Sequence, residues 1–156
     1  MNRFRQNVCV AVRRAGSDLF LLCHRKGFPP DSGWQFPQGG LHEGEELISE
    51  MRRELREEIG TDRVSVVAIA PKKYTYSFPQ GMKRRHGNYT GQTQQWVLSE
   101  FSGRDSEINF NRKPAEFDAF EWATVTTVLD RIVDFKKNVY AEAMQDMGIS
   151  GKHSLK

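Results

Sequence analysis

The stretch GGLHEGEELISEMRRELREEIGT, residues 39–61, carries the fold of this chain. Leu47, Ile48, Met51, Leu55 and Ile59 recur at helical spacing, which predicts a helix over residues 45–59 with one apolar stripe. Gly60 stands where a left-handed C-cap is expected. With about 100° per residue, Glu54, Glu57 and Glu58 fall on one face, and Glu50 sits one turn earlier on the same side.

Like charges at these spacings destabilise a helix by a few tenths of a kcal/mol per pair, roughly. The conflict grows where the carboxylates lie beside apolar residues and lose water. A hard divalent cation such as Mg²⁺ relieves it, because it prefers carboxylate oxygens. Bound there, it could neutralise phosphate charge and lower the pKa of a water. Taken alone, the helix reads as a solvated acidic surface balanced by Arg52, Arg53 and Arg56; the surrounding pattern changes that reading.

Upstream, residues 7–13 (NVCVAVR) and 19–24 (LFLLCH) read as strands, and Ala15-Gly16-Ser17-Asp18 supplies the turn of a hairpin. A loop over residues 26–33 contains Pro29 and Pro30. In the following WQFPQGG segment, residues 34–40, Pro37 and the paired glycines are expected to prevent regular structure. Downstream, residues 64–70, 73–78, 93–101 and 117–122 read as strands. Residues 125–147 read as one or two helices, with Val128, Ile132, Phe135, Val139, Ala143 and Met147 on the apolar face. This order predicts an α/β fold, a mixed sheet sandwiched between helices. The whole of residues 1–156 forms one domain, with an ordered core over about 6–148 and a mobile polar tail.

The 156 residues suffice for a buried core; at 38% hydrophobic and 28% charged, the chain reads as globular rather than disordered. No apolar run approaches a membrane span, and the N-terminus lacks a signal-peptide pattern. Cys9 and Cys23 have no ligand spacing and read as buried thiols, which points to the cytoplasm. The net charge of +3 is unevenly spread. Residues 63–99 contain no Asp or Glu but include Lys72, Lys73, Lys83, Arg84 and Arg85, whereas residues 43–58 are dense in glutamate. A metal site beside a polyanion site would have this distribution, as would two solvated faces.

The spacing from Gly39 to Gly60 resembles the box of the Nudix hydrolases. Gly39 is followed after five residues by Glu45, and seven more lead to Arg53-Glu54-Leu55-Arg56-Glu57-Glu58-Ile59-Gly60. The departure is Thr61, where the family has an aliphatic residue; lying beyond the helix cap, it is expected to matter little. The resemblance implies that Glu54, Glu57 and Glu58 are metal ligands, with the Gly39 carbonyl as a further ligand. It implies that Arg53 orients the glutamates and that Glu45 pairs with the loop or with Arg53. The implied cofactor is Mg²⁺, with Mn²⁺ as a substitute.

The flanks are similar to those of bacterial RNA pyrophosphohydrolases and the related dinucleoside polyphosphate hydrolases. The similar stretches are WQFPQGG, GQTQQW at 91–96, Glu107-Ile108-Asn109, Glu116-Phe117-Asp118 with Trp122, and DFKKNVY at 134–140. By this resemblance Glu116 is a loop-borne metal ligand or general base. Phe135 stacks on a base and Lys136 pairs with phosphate, although periodicity alone would put Phe135 in the core. Arg25 or Lys26 reaches the phosphates, and Tyr76 and Lys83-Arg84-Arg85 contact an RNA 5′ end. The loop over residues 27–33 is longer than the family pattern.

The expected activity is removal of pyrophosphate from RNA 5′-triphosphate ends, leaving a 5′-monophosphate. The alternative is hydrolysis of a dinucleoside polyphosphate such as diadenosine tetraphosphate. A non-catalytic sensor would lack box glutamates, and here all three are present. The substrate is the expected partner, and the chain is expected to act as a monomer with no stable partner protein.

Overall fold

The computed structural model describes residues 3–81 and 88–149. Lys83, Arg84, Arg85 and the expected mobile tail beyond residue 149 lie outside the described residues. Strand β1 (Phe4–Arg14) turns back into β2 (Phe20–Arg25), as the hairpin signal predicts, with Arg13 opposite Phe20. Short strands β3 (Trp34–Gln35) and β4 (Gln38–Gly40) follow. Helix α1 is Leu47–Ile59; then come β5 (Val64–Ile69), β6 (Tyr74–Ser77), β7 (Gly91–Phe101) and β8 (Phe117–Ala123). The chain closes with α2 (Val125–Arg131) and α3 (Asp134–Asp146).

The strands form one mixed sheet in the order β3-β2-β1-β7-β5, with β4 on β1, β6 on β7 and β8 on β2. Strands β1 and β7 run parallel along their whole length. They are the buried centre of the sheet, so the middle of β1, residues 8–12, is a continuous apolar run rather than an alternating one. Val8, Val10 and Val12 project to one face, where they meet Met51, Leu55 and Ile59 of α1. Cys9 and Ala11 project to the other, against Val128, Val139, Tyr140 and Ala143 of α2 and α3. The sheet is thus covered on both sides, as the element order predicts.

Two expectations need correction. The WQFPQGG segment does form regular structure: Pro37 separates two short strands, and Gln38, Gly39 and Gly40 pair antiparallel with Cys9, Val8 and Asn7. Proline interrupts a ladder at its own position, and glycine weakens a strand without forbidding one. Helix α1 also begins two residues later than its pattern suggests. Glu46 is the N-cap, its carboxylate accepting from the N–H groups of Ile48 and Ser49. A glutamate capping its own helix is not visible in apolar periodicity. Gly60 takes φ 80° at the C-cap as expected.

Candidate active site

Helix α1 presents its carboxylates to strand β4 and to the loop before β8. The apolar stripe fixes the helix rotation, and this brings Glu50 and Glu54 to the edge of the core, where both are buried. Arg53 gathers them. Its guanidinium lies 2.5 Å from Glu50, 3.1 Å from Glu54 and 3.2 Å from Glu57. Arg112 reaches the same Glu57 Oε1 at 2.6 Å from the loop before β8. Glu58 points to β4 and accepts a hydrogen bond from the Gln38 N–H at 3.3 Å. Glu45 lies outside the helix and faces His42 of the loop, 3.3 Å away, rather than Arg53.

The electrostatics divide these glutamates. Loss of hydration pushes the Glu58 carboxyl up to about 9, and the nearby charges of Glu54 and Glu116 act in the same direction. Glu54 is also raised by burial, against the pull of Arg53. Glu57 would be raised by burial, but Arg112 and Arg53 outweigh it and hold it below its ordinary value. Glu50 is lowered chiefly by its hydrogen bond from Arg53. Glu54 and Glu58 thus resist ionisation beside Glu50 and Glu57, which arginine holds ionised. A hard divalent cation among these oxygen donors would favour the ionised form of the buried pair.

Gly39 makes the close approach feasible. A Cβ there would lie 2.1 Å from the Glu54 Cδ, so the backbone of β4 and that carboxylate meet only across a glycine. Among the described residues, the three His, Cys, Asp or Glu side chains whose ligand atoms all lie within 4.8 Å of one another are His42, Glu45 and Glu50. The set of Glu54, Glu57 and Glu58 is not drawn that tightly; the two arginines engage Glu57 and the Gln38 N–H engages Glu58. Glu116 is exposed on the loop entering β8, near enough for its charge to act on Glu58.

Beside the glutamates opens a cavity of about 540 Å³, lined by Arg25, Gln35, Gln38, Phe78, Phe135 and Lys136 among others. Phe135 packs against the core, as its periodicity predicts, and also lines the cavity. Lys136 is buried, with its ammonium 3.5 Å from Gln35 Oε1 and over the rings of Tyr76 and Phe135. Tyr76 is buried behind this wall, and Lys26 is not among the lining residues. The backbone N–H of Lys26 instead donates to the Glu116 carbonyl at 2.9 Å, tying the two loops together.

Two side chains also anchor the long loop over residues 26–33. Trp34 Nε1 donates to the Pro30 carbonyl at 2.8 Å, and His24 Nε2 stands 2.9 Å from the Pro29 carbonyl. His24 Nδ1 lies 2.6 Å from Asp118, so both ring nitrogens face acceptors. The doubly protonated ring satisfies both, and its hydrogen bond to Asp118 raises the His24 pKa above its ordinary value.

Sequence reading missed Arg112 and the role of Gln38. Arg112 belongs to no periodic pattern. Gln38 stands in the WQFPQGG segment, but what it joins appears only in three dimensions. Its side-chain oxygen accepts from Gln94 Nε2 at 3.0 Å; Gln94 also donates to Asn7 and accepts from Trp96 Nε1. This buried chain of amides holds β4 against the central strands. Gln38 lines the cavity with its side chain while its backbone N–H serves Glu58.

Burial holds the Lys136 ammonium down at about 8, below its ordinary value of 10.5. In the window between those values the unfolded chain binds more protons than the folded one, so stability rises with pH there and is lost as pH falls through about 8. The charged form costs on the order of 3 kcal/mol at neutral pH. Lys136→Met is therefore expected to be more stable than the parent at pH 7, with the advantage shrinking by pH 10. Denaturant unfolding at the two pH values reads this, and an advantage equal at both would refute it.

A sheet covered on both faces, with a glutamate-rich helix held under a glycine strand, is an α/β fold that sets a cluster of carboxylates beside a cavity. The NUDIX domain model matches residues 3–143, and the chain belongs to the Nudix family. It is a hydrolase acting on pyrophosphate bonds. It is 41% identical over 124 residues to an RNA pyrophosphohydrolase of Gluconacetobacter diazotrophicus, covering 77% of this chain and 74% of the relative. It is 39% identical over 150 residues to the chloroplastic Nudix hydrolase 26 of Arabidopsis thaliana, covering 90% of this chain and 68% of that one. The fold is similar to that of the E. coli dihydroneopterin triphosphate pyrophosphohydrolase, with TM-score 0.70 and 17% identity, covering 92% of this chain and 99% of that one. It is also similar to a C. elegans Ap4A hydrolase, with TM-score 0.61 and 17% identity, covering 92% and 93%. Among the described residues, no helix is long and apolar enough to cross a membrane.

Proposed function

We propose that the protein removes pyrophosphate from the 5′-triphosphate end of RNA, leaving a 5′-monophosphate, a reading supported by its similarity to RNA pyrophosphohydrolases. The observation that carries this reading is Gln38, which joins the glutamate cluster to an aromatic cavity containing a buried lysine. Chemistry on a phosphate chain and recognition of the attached nucleoside then share one wall.

Glu54, Glu57 and Glu58, with the Gly39 carbonyl, would hold the divalent ion, Mg²⁺ or Mn²⁺. Bound there, the ion supplies charge neutralisation on the phosphate oxygens and a more acidic water. Arg53 keeps the glutamates in register by its three contacts. Glu116 reaches the cluster from the loop side and accepts the proton of the water that adds to phosphorus, while pyrophosphate departs. Lys136 and Arg25 pair with phosphate oxygens, and Phe135 offers its face to a base. Cys9 and Cys23, both buried and unpaired, suit a reducing cytoplasm. We propose a monomer as the active form.

The test compares specific activity on triphosphorylated RNA and on diadenosine tetraphosphate, each with Mg²⁺ and with Mn²⁺. Faster metal-dependent release of pyrophosphate from RNA is expected. Preference for the dinucleotide would replace this reading with the dinucleoside polyphosphate one, and metal binding without turnover of either would indicate a sensor.

A further inference from the structure

Two arginines converge on a single oxygen of Glu57, and their surroundings differ. Arg53 lies on the same helix, and its guanidinium is fixed by Glu50, Glu54 and Glu57 together. Arg112 comes from the other side, on a stretch where residues 111–114 are all exposed, and its side chain is 54% exposed. Among the described residues its ion-pair partner is Glu57. Arg53 already supplies a positive charge to that carboxylate, so Arg112 is a second counter-ion, close at 2.6 Å but held by one carboxylate where Arg53 is held by three. The same loop carries Glu116, whose charge acts on Glu58.

We propose that Arg112 is an exchangeable counter-ion and a substrate-binding residue. It neutralises Glu57 while no divalent cation is bound, and turns its guanidinium to the phosphate chain when a cation takes that carboxylate. An exposed ion pair is weak and readily exchanged, and a guanidinium forms paired hydrogen bonds with phosphate oxygens as well as with carboxylates. The exchange keeps the charge of the site balanced: a cation arrives at Glu57, and the displaced arginine meets the anion that enters with it. The substrate half of this inference rests on the proposed hydrolysis; the metal half does not.

The experiment titrates Mn²⁺ into the whole protein without substrate, following free Mn²⁺ by electron paramagnetic resonance, for the parent, Arg112→Ala and Arg112→Lys. Loss of a competing exposed pair should make Arg112→Ala bind Mn²⁺ about two- to fivefold more tightly. Steady-state assays on triphosphorylated RNA and diadenosine tetraphosphate should show KM raised roughly tenfold, the scale of a lost charge-assisted hydrogen bond to phosphate. Arg112→Lys, which keeps the charge without the planar fork, should fall between the two on KM. It also serves if the alanine variant fails to fold. Unchanged or weaker Mn²⁺ binding in Arg112→Ala would overturn the counter-ion role, and tighter binding with unchanged KM would overturn the phosphate role. If the parent hydrolyses neither substrate, the proposed function fails while the Mn²⁺ titration still decides the counter-ion role.

Discussion

Glu57→Gln is expected to lose turnover by on the order of a hundredfold or more, the scale of a charge-stabilising group at a phosphoryl centre, while the fold stays intact. Glu57 is the glutamate of the cluster held ionised by two arginines, and its side chain is one-third exposed. The amide keeps the shape and removes the charge. Exposed ion pairs contribute at most about 1 kcal/mol, so the thermal midpoint should move by only a few degrees. Release of pyrophosphate measured beside a circular-dichroism melt separates the two effects. Full activity in a folded Glu57→Gln protein would remove Glu57 from the proposed metal site.

Gly39→Ala is expected to damage both stability and rate, for one geometric reason. The new methyl would stand 2.1 Å from the Glu54 carboxyl carbon, and Glu54 is 9% exposed and tethered to Arg53. Either the carboxylate leaves its place or β4 moves away from α1. The strain should cost about 1–3 kcal/mol, typical of overpacking. Displacing this proposed metal-binding carboxylate by about 1 Å should lower kcat by roughly a hundredfold. The double variant Gly39→Ala with Glu54→Asp shortens the obstructing side chain. It should recover most of the stability and little of the rate, because the carboxylate then lies a methylene short of its place. Recovery of both would show that Glu54 acts only through packing. Normal rate and stability in Gly39→Ala alone would show that β4 yields without consequence.

Local pattern was enough for the elements and their layering. The spacing of Met51, Leu55 and Ile59 sets the rotation of α1 on the sheet, and that rotation carries Glu54, Glu57 and Glu58 to one side as arithmetic. The hairpin, the αL cap at Gly60 and the covering of both sheet faces follow from turn chemistry and apolar periodicity in the same way. The short strands around Pro37 escaped that reading, because pairing with β1 is a long-range contact that turn-forming residues mask.

What the sequence by itself determined is a helix whose carboxylates cannot all be ionised at low cost, followed by a cap and preceded by glycines. That follows from the period of the α-helix and the repulsion of like charges, both local properties. Only the tertiary structure decided which of those carboxylates stays charged. Arg112 lies 55 residues from Glu57, and Gln38 meets Glu58 across 20. It also decided that Lys136 faces a cavity rather than solvent. Burial, and the approach of groups distant along the chain, shift these ionisations, and no periodicity in the chain encodes either.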